Sequence, residues 1–154
     1  MDGEERRAAR VLTETMAYAL LGTCWGLLAA LLGARALGPS ILYGVFASPL
    51  IGLAVGRALH PRFARAAGVY RALIAFASLY MGAVLFGMAV GVGELVRRRG
   101  VDALEVLWRG VASVLYGTSL FVIALWPLAY LSHVLLAHAL LAADRWPRPG
   151  RPRR

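Results

Sequence analysis

The residues of this chain best able to bind a metal ion or a cofactor are its three histidines, His60, His133 and His138. His133 and His138 lie five residues apart in an apolar stretch, so on a helix their side chains diverge by about 140° and cannot share one ligand. His60 and His138 each come near the end of a predicted helix, and the topology derived below places both ends at one surface. Two imidazoles at similar depth suit a bis-histidine haem or a metal site, so His60 and His138 are the candidate cofactor ligands.

The alternative for each histidine is structural. An amphipathic side chain near a membrane surface commonly bonds to water, a headgroup or a carbonyl group, and needs no cofactor. His133 lies deeper than His138 and follows Ser132, so we expect it to bond to a neighbouring helix.

No other pattern in the sequence indicates catalysis. Cys24 is the one cysteine, and the chain has no serine nucleophile motif and no phosphate-binding glycine loop. Ser132 and His133 are adjacent, which directs them to different faces of a helix. The sequence therefore favours a protein without enzymatic activity and assigns it no bound cofactor or metal.

The distribution of charge predicts an all-α membrane protein. The chain is 60% hydrophobic and 16% charged, with a mean hydropathy of +0.66. Four stretches contain no Asp, Glu, Lys or Arg, and they are residues 15–34, 36–56, 72–93 and 110–143. Each reaches the roughly 20 residues that a helix needs to cross the hydrocarbon core. We predict a four-helix transmembrane bundle within residues 15–143, with spans at about 15–34, 38–59, 70–93 and 110–136.

Glycine and proline residues along the chain indicate where these helices begin, end or bend. Gly38-Pro39-Ser40 precedes the second helix, His60-Pro61 is expected to end it, and Gly91-Val92-Gly93 to end the third. Residues 101–111 place apolar side chains on one face, which predicts a short amphipathic helix between the third and fourth spans, either lying at the interface or leading straight into the fourth span. The fourth stretch is too long for one span, so Pro127 is expected to kink it, and Pro49 and Pro127 are candidate hinges.

The arginines predict the orientation. All 17 basic residues are arginine, and 12 of them lie on one side if both termini share it, against five on the other. The positive-inside rule therefore favours cytoplasmic termini, residues 1–14 forming an N-terminal segment and 144–154 a basic, disordered tail. The arginines flank apolar stretches and accompany no nucleic-acid-binding motif, so we expect no nucleic acid and a bacterial inner (plasma) membrane.

Small residues recur at four-residue spacing in each predicted span. The pairs are Gly22 and Gly26, Gly52 and Gly56, Gly87 and Gly91, and Ser113 and Gly117. Such ridges let helix backbones approach closely in lipid, where little hydrophobic drive brings helices together. We expect them to pack the bundle, and a spare ridge to serve self-association or a partner.

Three functional hypotheses follow. The first is a non-enzymatic accessory or assembly subunit that packs against itself or another membrane protein, because small-residue ridges occur without ionised groups inside the spans. The second is a small oligomeric transporter or channel whose path is lined by hydroxyl groups, of Thr23, Ser48, Ser78, Tyr80, Tyr116, Thr118 and Ser119. The third is a haem- or metal-binding protein that uses His60 and His138.

Overall fold

The computed structural model describes residues 3–98 and 102–145, and this part of the chain is helical almost throughout. Five α-helices follow one another, α1 (Gly3–Leu37), α2 (Ile41–Arg65), α3 (Val69–Arg97), α4 (Ala103–Leu120) and α5 (Val122–Arg145). A 3-10 turn, Gly38–Ser40, joins α1 to α2. The described residues contain no strand, so the all-α prediction is confirmed.

Three stretches of the described chain are long and apolar enough to cross a membrane. They are Arg7–Arg65, which covers α2 and all of α1 except its first turn, Val69–Arg97, which is α3, and Val122–Leu141 within α5. These helices are compatible with an integral, multi-pass membrane protein, as the charge-free stretches predict.

α1 and α2 form an antiparallel hairpin. Gly38 has a φ of +57°, a left-handed conformation that glycine adopts without a Cβ clash, and the chain reverses there. Gly22 then lies against Gly52, and Gly56 lies against Tyr18 nearer the start of α1.

α3 and α4 continue the antiparallel arrangement. On α3, Phe86 packs over Gly44 of α2, while Gly91 faces Leu107 of α4. Asp102 caps the start of α4, because its carboxylate accepts hydrogen bonds from the backbone N–H groups of Leu104 (2.8 Å) and Glu105 (3.2 Å).

α5 contacts all four preceding helices, and α3 most extensively. Its Trp126 donates a hydrogen bond to the carbonyl of Ala72 at 3.0 Å. Farther along, Tyr130 makes an edge contact with Phe63 of α2. α5 therefore packs across the part of the structure where α2 ends and α3 begins.

Two predicted helix ends are wrong. α2 continues through His60-Pro61 to Arg65, and α3 continues through Gly91 and Gly93 to Arg97. The residue before proline disfavours helical geometry without forbidding it. Gly91 and Gly93 stay helical because they lie under Leu107 and Tyr43, so tertiary packing outweighs their weak helix propensity.

The fourth charge-free stretch also differs from the prediction. Residues 103–111 form no separate short helix, because α4 continues to Leu120. The chain then breaks at Phe121, and Pro127 lies in the second turn of α5 rather than at the break. Residues 99–101 and 146–154 lie outside the described residues, and with them the first residue of the predicted amphipathic helix and most of the predicted tail.

Candidate binding cavity and histidine pair

A half-open cavity of about 370 Å³ lies among the helices, and all five contribute to its walls. The walls are mostly apolar, with Leu28, Leu79 and Leu125 among them. Side chains with polar groups line it at a few positions, namely Trp25, Ser48, Ser78, Ser113, Tyr116, Thr118, Ser132 and His133. No Asp, Glu, Lys or Arg is among the described residues that line this cavity.

The cavity exists because the first and fourth helices of a closely packed series leave space between them. α1 packs on α2, α2 on α3 and α3 on α4, whereas contacts between α1 and α4 are few. Gly82 and Gly117 both face the resulting space, and a Cβ added at either would meet no atom within 4 Å. The volume therefore stays open because neither glycine has a side chain to fill it.

The glycine ridges of α1 and α2 face each other. An added Cβ on Gly22 would lie 2.7 Å from the Cα of Gly52, and one on Gly56 would lie 2.7 Å from Cγ of Tyr18. Gly26 lies against the side chain of Ser48. The absence of side chains at these positions permits the close approach of the two backbones.

On α3, Gly87 and Gly91 face α4. A Cβ on Gly87 would lie 2.7 Å from the Cα of Val111, and one on Gly91 would lie 2.9 Å from the Cα of Leu107. The fourth predicted pair differs: Ser113 is exposed and Gly117 has open space beside it, so this ridge packs against no helix of the described chain.

Ser48 and Pro49 show how α2 passes the cavity. Pro49 has no N–H group, so it cannot bond to the carbonyl of Val45 four residues earlier. The Ser48 hydroxyl donates to that carbonyl instead, at 2.6 Å. α2 therefore continues through Pro49 with the freed carbonyl satisfied, as a helix in lipid requires.

Beside the cavity, His60 of α2 pairs with His133 of α5. The two side chains are 5% and 4% exposed, and their Nδ1 atoms lie 3.4 Å apart. On the other side of the ring, His133 Nε2 lies 3.0 Å from the Ser78 hydroxyl of α3. The bond to Ser78 fulfils the expectation that His133 bonds to a neighbouring helix.

The hydrogen bonds assign the positions of the ring protons. Ser78 donates its hydroxyl proton to the carbonyl of Ala75 at 2.7 Å, so its oxygen accepts from His133 Nε2–H. Neutral His133 then has a lone pair on Nδ1, and His60 Nδ1–H donates to it. The result is a continuous chain of donors from His60 through His133 to Ser78.

Aromatic rings surround the histidine pair. Phe63 stacks on His133 with ring centroids 4.7 Å apart, and Tyr18 makes an edge contact with His60 at 5.8 Å. The guanidinium of Arg71, on α3, lies over the ring of Phe63, 5.7 Å from its centroid. The aromatic rings of Tyr18 and Phe63, from α1 and α2, thus give the two imidazoles apolar neighbours.

His138 does not join this cluster. It is exposed on α5, and its Nδ1 bonds to the carbonyl of Val134 at 2.9 Å. No ring contact or hydrogen bond joins it to His60 within the described structure. The candidate pair of His60 and His138 is therefore replaced, at the level of contacts, by His60 and His133.

Of the seven hydroxyl residues considered for a transport path, four line the cavity, namely Ser48, Ser78, Tyr116 and Thr118. The Thr23 hydroxyl bonds to the carbonyl of Ala19 within α1. Tyr80 and Ser119 bond to each other at 3.1 Å across α3 and α4. A residue that sequence reasoning did not select, Trp25, lines the cavity and donates to Ser132 at 3.3 Å.

Comparison of this chain with protein-family models, with curated proteins and with solved structures finds no match. Among the described residues, no three His, Cys, Asp or Glu side chains come together as a group that could hold a metal ion. The chemistry of the site is therefore argued from the cavity and the histidine pair themselves.

Proposed function

We propose that the chain crosses a bacterial inner membrane four times, through α1, α2, α3 and the 110–136 segment, with both termini cytoplasmic. The antiparallel course of α1 to α4 supports this arrangement, because it returns the chain to the end where α1 begins. Four arginines cluster at that end, namely Arg57, Arg62, Arg65 and Arg71. Such a cluster is typical of a cytoplasmic surface.

Within that membrane protein, the central cavity binds a small uncharged amphiphile, mostly apolar with one hydrogen-bonding group. The cavity itself supports this function, because a volume of about 370 Å³ falls within the roughly 300–1,000 Å³ typical of ligand pockets. Its walls bear no ionised side chain among the described residues, which disfavours a charged ligand. Hydroxyl groups of the lining, such as those of Ser113 and Tyr116, offer partners for one polar group.

A photoreactive alcohol tests this function directly. Decanol that carries a diazirine group is incubated with the protein in mild detergent, irradiated, and the labelled peptides are identified by mass spectrometry. Labelling of cavity-lining segments that excess unlabelled decanol suppresses is expected. Labelling that excess alcohol leaves unchanged would show partition into detergent rather than binding.

Gly82→Leu and Gly117→Leu fill the cavity from α3 and α4, where an added side chain meets no neighbouring atom at its Cβ. Both should abolish the saturable labelling while the protein stays folded. Ala77→Leu, on an exposed position of α3, adds the same volume outside the cavity and should leave it unchanged. Equal saturable labelling in all three variants would refute the cavity as the site.

The accessory or assembly role is the second candidate, and the open ridge of Ser113 and Gly117 favours it. A helix of a second copy or of another membrane protein would pack there through its own small residues. Capture of the protein in mild detergent should then recover a stoichiometric partner or a homo-oligomer. Gly117→Leu should release the partner, and recovery of a polypeptide rather than a bound small molecule separates this role from ligand binding.

A further inference from the structure

The histidine pair has a geometry that a simple packing contact does not need. The two ring planes are inclined by only 12°, and the ring centroids lie 5.7 Å apart while the Nδ1 atoms lie 3.4 Å apart. The centroid distance exceeds the Nδ1–Nδ1 distance by about twice the distance from the centre of an imidazole ring to one of its atoms. Both Nδ1 atoms therefore lie near the line between the centroids, and each ring directs its Nδ1 at the other.

The neighbouring groups fix one of these nitrogens as a lone-pair donor. His133 Nε2–H is held by the Ser78 oxygen, which leaves Nδ1 of His133 without a proton when the ring is neutral. This is the outer hydrogen bond that metal-binding histidines commonly make, because it orients the ring and selects the tautomer. His60 presents a second lone pair when its own proton moves from Nδ1 to Nε2.

We propose that the Nδ1 atoms of His60 and His133 bind one Cu(I) ion in a two-coordinate site. Two facing neutral imidazoles match the linear coordination of a soft monovalent ion, and imidazole is a suitable copper ligand. With metal–nitrogen bonds of about 2.0 Å, the two atoms would separate to about 4 Å, so each ring moves by about 0.3 Å.

The surroundings disfavour a divalent ion here. Zn²⁺ takes four ligands, and no group of three His, Cys, Asp or Glu side chains occurs in the described residues. The rings of Tyr18 and Phe63 surround the pair with apolar surface, where an uncompensated double charge would be costly. A single charge spread over two imidazoles carries a smaller desolvation cost.

Binding leaves the protons balanced and involves no redox step. The ion takes the place of the proton between the two Nδ1 atoms, and that proton is recovered on Nε2 of His60. Both imidazoles remain neutral, so no net proton is released to solvent. His133 also lines the cavity, but both of its ring nitrogens are engaged by His60 and Ser78, so the metal site does not depend on the proposed function.

Anaerobic titration of the full-length protein in mild detergent tests the site, with Cu(I) competing between the protein and a coloured chelator. The Cys24→Ser variant serves as the starting protein, because the exposed thiol of Cys24 would itself bind Cu(I). One Cu(I) per chain is expected. His60→Leu and His133→Leu should lose this equivalent, whereas His138→Leu, which changes an exposed histidine of the same helix, should retain it.

X-ray absorption of the copper-loaded Cys24→Ser protein keeps the test decisive if either leucine variant fails to fold. Two nitrogen neighbours of imidazole type and no sulfur are expected, with the same spectrum in the His138→Leu variant. Absence of copper binding, a sulfur ligand, three or more ligands, or full binding in folded His60→Leu would overturn the proposal.

Discussion

At the scale of single residues, polar groups inside this apolar chain compensate for specific gaps in backbone bonding. Pro49 removes the N–H that would bond to Val45, and the hydroxyl of the preceding residue, Ser48, bonds there instead. Ser48 also fits against α1 because residue 26 is glycine. Pro49, Ser48 and Gly26 therefore depend on one another: the proline frees a carbonyl group, the serine bonds to it, and the glycine leaves room for the serine.

Ser48→Ala should lower the free energy of unfolding by about 1–3 kcal/mol, because a buried carbonyl group loses its hydrogen bond. Thermal unfolding in detergent measures the change. Thr118→Ala is the matched control, since the carbonyl to which Thr118 donates, that of Val114, retains the backbone N–H of residue 118. Equal losses in the two variants would contradict the compensating role of Ser48.

The histidines show what the sequence predicts at this scale and what it does not. The sequence identifies His60 as a candidate ligand, because it lies near the end of an apolar helix. It also predicts the hydrogen bond from His133 to a neighbouring helix. The partner of His60 depends on where α5 begins and how it crosses α2. That course is set by the break at Phe121, which no local sequence signal marks as strongly as Pro127.

At the scale of helices, three of the four small-residue ridges lie at helix–helix contacts. Periodicity alone identifies such ridges, because backbone approach in lipid needs small side chains. It does not say which ridge meets which helix. The closest approaches, Gly22 to Gly52 and Gly87 to Val111, pair consecutive helices, and the ridge of Ser113 and Gly117 has no neighbour.

Gly91→Leu and Gly117→Leu should therefore differ sharply. The first forces a side chain against the backbone of Leu107 and should lower the free energy of unfolding by about 1–3 kcal/mol or more, through overpacking between α3 and α4. The second enters open space and should leave stability nearly unchanged. Unfolding in mixed detergent, followed by helical circular dichroism, compares them, and similar losses would show that Gly117 is packed.

At the scale of the whole molecule, composition predicts the class of protein and its apolar helices. The four charge-free stretches supply this, because their length and lack of charge are properties of sequence alone. The cavity does not follow from sequence, since it is the space left where α1 and α4 make few contacts. Gly82 lines part of the cavity, but nothing in the sequence distinguishes it from the other glycines, of which the chain has 17 in all.

The proposed orientation predicts the result of reporter fusions. Alkaline phosphatase, which is active only outside the cytoplasm, should be inactive when fused after Arg154 and active when fused after Leu37, at the end of α1. The concentration of arginine at the α2–α3 end is the physical reason. Activity after Arg154 with inactivity after Leu37 would reverse the topology.

The central claim is that the cavity between the α1–α2 and α3–α4 pairs holds a small amphiphile. Native mass spectrometry of the protein, extracted from its membrane in mild detergent, tests it most directly. The wild-type protein and Ala77→Leu should carry one uncharged small molecule per chain, and Gly82→Leu should carry none. An unoccupied wild-type protein, or the same bound mass retained in Gly82→Leu, would contradict the claim.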